Sequence, residues 1–326
     1  MPDIQQVQAQ VERQAQTFDA ARKEMGRVLV GQKYMVDRLL IGLLANGHVL
    51  IEGVPGLAKT TAVKALAEAT ALQFARIQFT PDLLPADLLG TQIYQPATGE
   101  FSTRLGPMFA NILLADEINR APPKVQSALL EAMQERQVTL GDQSYPLPYP
   151  FLVLATQNPV EQEGTYPLPE AQMDRFILKL SVTYPSLEEE LEIISRSSEP
   201  VPTLKPQMSV DQLVAAQRLV RQIKVTDVLM RYIVDIVRAT REPGRVDKKL
   251  ANAIEFGASP RASIALAAAA RAHAFLEGRP YANPEDVKAI GKDVLRHRIL
   301  PTYEAEADGL DSEKLAGILL DQVDMP

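Results

Sequence analysis

The chain has 326 residues, 46% hydrophobic and 23% charged, with a formal net charge of −7. That length suits two domains with a sizeable core, and the acidic balance argues against a dedicated duplex-DNA binder, which is usually basic. With 0 Cys there is no disulfide framework or thiolate zinc site, and His48, His273 and His297 are too scattered in sequence for a metal centre.

The N-terminal stretch MPDIQQVQAQVERQAQ is polar and has no apolar h-region of a signal peptide. Residues 4–25 read as a polar helix with a thin apolar stripe of Val7, Val11, Phe18 and Met25. A second helix is predicted from Gln32 to Ala45, with Met35, Leu39, Leu40 and Leu43 on one face and Gly47 as its stop. The apolar run at 48–52 reads as a buried strand, followed by a helix from Thr60 to Ala71 and a strand within 72–80. Residues 111–115 and 151–155 are two more buried strands, and 122–135 is a helix with proline in its first turn and apolar residues at helical spacing. Two segments break the alternation, 88–105 around the turn signal Ala97-Thr-Gly-Glu100 and 136–149 around Gly141-Asp142, and both read as inserted β-hairpins. After Tyr184-Pro185 helix patterns dominate, with capping boxes at Ser186/Glu189 and Ser209/Gln212 and cap-proline pairs at Ser259-Pro260 and Asn283-Pro284. No apolar run reaches the roughly 18 residues of a membrane span. The expectation is an α/β sandwich with a mainly parallel sheet over residues 1–183, then a smaller all-helical domain over 184–326, cytoplasmic and not inserted in a membrane.

Three segments carry chemistry. Gly53-Val54-Pro55-Gly56-Leu57-Ala58-Lys59-Thr60, with Thr61 behind it, lies between a predicted strand and helix and approximates the phosphate loop G-x-x-x-x-G-K-[ST]. In such a loop backbone amides and the helix N-terminus surround phosphates, the Lys places a charge on them and the Thr hydroxyl is a Mg²⁺ ligand. Ala58 stands where the second Gly is usual, and alanine disfavours positive φ. The strand at 112–116 ends in Asp116-Glu117: at a strand end facing a ligand crevice, Asp116 can hold Mg²⁺ through its water shell and Glu117 can polarise the attacking water. A solvated turn explains either acid alone but poorly explains both. The strand at 151–155 runs into Thr156-Gln-Asn158. In isolation Asn158 is an ordinary turn residue before Pro159; beside the other two motifs it suits a residue that orients the water or touches the γ-phosphate.

At this point the sequence resembles the MoxR family of AAA+ ATPases over nearly its whole length. The strings are VLVGQ at 28–32, EGVPGLAKT at 52–60, LLADEINRAPPKVQSALLEAM at 113–133, ATQNPVEQEGTYPLPEAQMDRF at 155–176 and GASPRA at 257–262. The family tends to carry Ala before this Lys, so Ala58 is expected in it. The resemblance implies a P-loop αβα core with hairpin inserts and a helical lid. It implies ATP and Mg²⁺, with Val30, Gly31 and Gln32 beside the adenine, Arg175 as an arginine finger donated to a neighbouring subunit, and Arg261 as a second sensor on the lid. A salt bridge with Asp174 or Glu170 is the plainer reading of Arg175, and a solvated side chain that of Arg261. The resemblance also implies a homo-oligomer, a hexameric ring, that remodels partner proteins, among them proteins with a von Willebrand factor A domain. Two other functions compete. A nucleic-acid motor or loader of the related minichromosome-maintenance branch would need a basic inner ring, and the hairpins hold few Lys or Arg. A nucleotide-dependent binding switch would not need Glu117.

Overall fold

The computed structural model describes residues 4–159 and 164–325. In chain order the elements are α1 (Ile4–Met25), α2 (Lys33–Ala45), β1 (Val49–Glu52), α3 (Lys59–Ala69), β2 (Phe74–Gln78), α4 (Pro85–Leu89), β3 (Gly90–Gln95), β4 (Glu100–Leu105), β5 (Ile112–Asp116), α5 (Pro123–Glu135), β6 (Gln137–Leu140), β7 (Gln143–Pro146), β8 (Leu152–Gln157), α6 (Glu170–Met173) and β9 (Leu178–Ser181). They continue with α7 (Leu187–Arg196), α8 (Val210–Gln222), α9 (Asp227–Ala239), β10 (Ile254–Phe256), α10 (Pro260–Leu276), α11 (Pro284–Leu295), β11 (Leu300–Pro301), α12 (Tyr303–Ala307) and α13 (Ser312–Gln322).

By internal contacts the chain forms two compact units. One comprises Ala20–Arg175 and Leu180–Leu213; the other is built from the chain before Ala20, Phe176–Lys179 and the chain from Val214 on. The change of sequence texture near residue 184 therefore does not coincide with the division by contacts, which keeps α7 with the sheet.

The first unit is built on a sheet of order β2-β5-β8-β1-β9, in which β2/β5, β5/β8 and β8/β1 pair in parallel. β5 is buried along its whole length and β8 along all but its last residue, as strands covered on both faces must be, and this is why they read as unbroken apolar runs. α2 buries Met35, Val36, Leu39, Leu40 and Leu43. It ends at Ala45 as expected, but the left-handed cap is Asn46, at φ 54, and not Gly47; Gly47 N donates to Gly42 O at 3.0 Å, a Schellman-type ending that Asn tolerates.

Both inserted hairpins are present, β3/β4 in register from Gly90↔Leu105 to Gln95↔Glu100 and β6/β7 with Gly141 at φ 61 in its tip. The neck of β3/β4 requires glycine on both sides. A Cβ on Gly90 would lie 2.3 Å from Arg104 O, and one on Gly106 would lie 2.2 Å from Leu88 O. His48 is structural: Val153 N donates to its Nδ1 at 2.9 Å and its Nε2 faces Met133 O at 3.2 Å. Burial, with the charge of Arg136, pushes its pKa down to about 3.

In the second unit α9, α10, α11 and α13 bury their apolar faces, and the expected caps form at Ser259 and at the Asn283/Asp286 box. This unit is not purely helical as the sequence suggests: β10 and β11 form a short antiparallel pair, Ile254↔Pro301. Strands of two and three residues are too short to leave a periodicity in the sequence. Asp286 is fully buried, ion-paired with Arg279 and in hydrogen-bond contact with His273, whose Nδ1 lies 2.6 Å from Asp286 Oδ1. No described helix is long and apolar enough to cross a membrane.

Candidate functional site

The loop 53–58 joins β1 to α3 in the first unit. Gly53 N donates to Gln157 O at 3.3 Å, tying the loop to the end of β8. Gly56 has φ +88 and open space where a Cβ would be, so its backbone conformation is what requires glycine. Ala58 occupies the left-handed region at φ 55 and caps α3. The strain foreseen for alanine here is present, on the order of 1–2 kcal/mol, and the loop adopts the turn regardless. By helix geometry the first amides of α3 have no intrahelical acceptor, so the segment from Gly56 to Thr61 presents an anion cradle. Lys59 Nζ donates to Gly53 O. Burial lowers the pKa of Lys59, opposed by the charges of Asp116, Glu117 and Glu52, so the loop's cation and the two acids share one electrostatic neighbourhood.

Asp116 closes β5. Its Oδ1 accepts from Thr156 Oγ1 at 2.6 Å, and its Oδ2 accepts from Arg76 Nε at 3.1 Å and Nη2 at 2.7 Å. Glu117 sits in the left-handed region at φ 57, and the two carboxylates take different partners. Its backbone N donates to Thr156 Oγ1 at 2.8 Å. Its Oε2 accepts from Gln78 Nε2 at 2.8 Å and from Arg120 Nη1 at 3.0 Å. One hydroxyl on β8 thus fixes both acids of β5, and two side chains of β2 reach across to them. Asn158 follows β8 and is buried.

A cavity of about 600 Å³ opens beside the loop. Val30 and Gln32 line it on one side, and Gly56, Leu57, Ala58 and Thr61 on another. Gly31 between them has φ +63, and a Cβ there would lie 2.3 Å from Glu189 Oε1. The third wall is the stretch after β9: Ile193 and Arg196 of α7, then Pro200 to Pro202. Arg196 Nη1 holds it to the carbonyls of Gly26 and Arg27, both at 3.3 Å.

Of the residues expected at the site, Val30, Gln32, Gly56, Leu57, Ala58 and Thr61 line one cavity, and Lys59 lies in the field of Asp116 and Glu117. Val54, Pro55 and Thr60 fall in the same loop and first helical turn. Arg175, just after α6, belongs to the same unit; it is half-buried, with its Nε lacking a hydrogen-bond partner among the described residues. Arg261 is exposed on the first turn of α10, in the other unit. Residues 160–163 of the string at 155–176 lie outside the described residues. Sequence reasoning missed Arg76, Gln78, Arg120, Thr156 and the wall at 193–202. Arg76 and Gln78 left a signal: two long polar side chains at i and i+2 share one face of the strand FARIQ, and parallel pairing sets Gln78 opposite Asp116.

The fold and this loop-and-acids geometry define a P-loop nucleotide hydrolase. The model of the ATPase family associated with various cellular activities matches residues 48–178, and that of the AAA lid domain matches 248–317. Chaperone MoxR1 of Mycobacterium tuberculosis is 51% identical over 95% of this chain and 82% of its own length. Protein MoxR of Paracoccus denitrificans is 32% identical over 90% and 92%. A crystal structure from Cytophaga hutchinsonii, of a protein proposed to be an ATPase, superposes with a TM-score of 0.92 at 48% identity, over 99% of this chain and 98% of that one. The chain belongs to the MoxR family of AAA+ ATPases, and it is a nucleotide-binding enzyme that hydrolyses ATP.

Proposed function

We propose that this chain is a Mg²⁺-dependent, ATP-driven, chaperone-like remodeller of partner proteins, acting in the cytoplasm as a hexameric ring on a client with a von Willebrand factor A domain. The Mycobacterium tuberculosis relative is named as a chaperone. What most supports the chemistry is that Thr156 Oγ1, on the strand paired with β1 that leads into the phosphate loop, holds Asp116 Oδ1 at 2.6 Å and Glu117 N at 2.8 Å. In this reading the loop 53–58 and the α3 amides hold the phosphates, with Thr60 and Thr61 in the first turn, and Lys59 leaves the Gly53 carbonyl for the β/γ-phosphates. Val30, Gly31 and Gln32 border the adenine. Glu117 takes the proton of the attacking water, which Asn158 orients. Arg175 acts on the ATP of a neighbouring subunit, and Arg261 is the second sensor.

Thr60 and Asp116 suit Mg²⁺, which prefers hard oxygen ligands and usually takes only one or two from protein, the rest from phosphates and water. When bound, the ion neutralises charge on the phosphoryl oxygens.

The β3/β4 hairpin favours a protein client. Tyr94 and Phe101 pack with ring centroids 5.2 Å apart and planes tilted by 54°, and both are exposed, a pair suited to protein contact. From β3 to β4 and from β6 to β7 the charged residues are Glu100, Arg104 and Asp142, with Arg136 just before β6, which is no track for a polyanion.

The roles separate in two variants. Lys59→Ala is expected to lose nucleotide binding. Glu117→Gln is expected to bind ATP but hydrolyse it about 10²–10⁴-fold more slowly, because the base acts only in the transition state. Equal loss of affinity in both, measured with a fluorescent nucleotide, rejects the assignment. The Glu117→Gln protein, charged with ATP, is also the bait for isolating the client.

A further inference from the structure

We infer that Arg76 and a divalent cation compete for Asp116 Oδ2, so that this arginine sets the metal affinity of the site. The inference rests on the reading of Asp116 as a metal residue. A carboxylate has about four lone-pair positions, two on each oxygen. Both on Oδ2 are taken by one guanidinium, through Nε at 3.1 Å and Nη2 at 2.7 Å. One on Oδ1 is taken by the Thr156 hydroxyl at 2.6 Å. A cation, or a water in its shell, that reaches Asp116 must therefore crowd onto the remaining position of Oδ1 or displace a donor.

The two donors differ in how readily they yield. Thr156 is 1% exposed, and its hydroxyl also accepts from Glu117 N at 2.8 Å, so removing it would strand a buried acceptor and a half-buried donor. The Arg76 side chain is 47% exposed and reaches in from the edge strand β2. Its charge can return to water, and an ion pair so exposed is weak. Arg76 is the partner that gives way. While in place it opposes the cation twice, by filling the lone pairs and by its positive charge. It acts through Asp116 and is a positioning residue.

The test measures metal binding with Mn²⁺ as probe and ADP present, by the electron paramagnetic resonance signal of free Mn²⁺. Arg76→Met and Arg76→Gln, both neutral, are expected to bind Mn²⁺ about two- to fivefold more tightly than the wild type. Arg76→Lys keeps the charge without the two-pronged fork and is expected to fall between. ADP affinity in EDTA should stay within about twofold for all three, since the competition concerns the metal alone. Unchanged or weaker Mn²⁺ binding in both neutral variants, with folding verified by circular dichroism, overturns the inference. So does a large loss of ADP affinity in EDTA, which would make Arg76 a phosphate contact. Asp116→Asn separates the underlying reading: if it does not weaken Mn²⁺ binding, Asp116 is no metal residue and the reading itself fails. If it does weaken binding while the Arg76 variants do nothing, only the competition is wrong.

Discussion

Thr156 is the residue on which the two acids depend. Its hydroxyl donates to Asp116 Oδ1 and accepts from Glu117 N, so Thr156→Val leaves a buried acceptor and a half-buried donor unpaired at constant shape. The expected cost is about 1–3 kcal/mol of stability, with ATP turnover falling further than ATP affinity and Thr156→Ser restoring both. Thermal melts and steady-state kinetics on the two variants check this. His48 gives a second prediction. Burial holds it neutral in the folded chain, with its pKa at about 3, while in the unfolded chain it titrates near its ordinary value of about 6.5. Between these values the unfolded chain binds the extra proton. The stability His48 contributes is therefore complete above about pH 6.5 and is lost as pH falls toward 3, with a slope of at most about 1.4 kcal/mol per pH unit. His48→Gln, which can keep both hydrogen bonds, should flatten the fall in urea midpoint between pH 7 and 5; an unchanged slope would mean that other groups carry it. Buried His297, also held well below its ordinary pKa, contributes in the same direction.

At the scale of elements, the α/β alternation was legible because β5 and β8 are covered on both faces and so nearly free of polar residues. Both hairpins were legible from their turn residues. The β10/β11 pair was not, and neither was the role of α7. Ser186 and Glu189 do announce a helix start, and the reciprocal bonds form. Nothing in the sequence says that this helix walls a cavity beside Val30, some 160 residues earlier. The β3/β4 hairpin exposes its aromatic pair, and loops on a rigid scaffold are where partners are usually met. Replacing Gln92–Phe101 by a short Gly-Ser turn should leave basal ATP hydrolysis intact and abolish client-dependent function. Full client activity in the shortened protein would remove the hairpin from the proposed mechanism.

At the scale of the whole molecule, the proposed ring makes a prediction that no single subunit can satisfy. Arg175→Ala keeps its own base but lends no finger; Glu117→Gln has a dead site but can lend one. If Arg175 acts on a neighbour, mixing the two inactive proteins should restore ATP hydrolysis, since an arginine finger contributes about 10³–10⁵ in rate. No recovery in mixed rings verified by mass spectrometry would assign Arg175 to a local ion pair instead. The sequence alone determined the phosphate loop, the paired acids and the order of strands and helices, because each depends on residues adjacent in the chain or spaced by one period. Tertiary structure decided what lies across from them. Parallel pairing of β2 with β5 carries Arg76 and Gln78 to Asp116 and Glu117. Pairing of β5 with β8 delivers Thr156, and the return of the chain after β9 closes the cavity beside residues 30–32. Those contacts join segments about 40 to 170 residues apart; their register is fixed by burial of apolar faces in three dimensions, which no local pattern encodes.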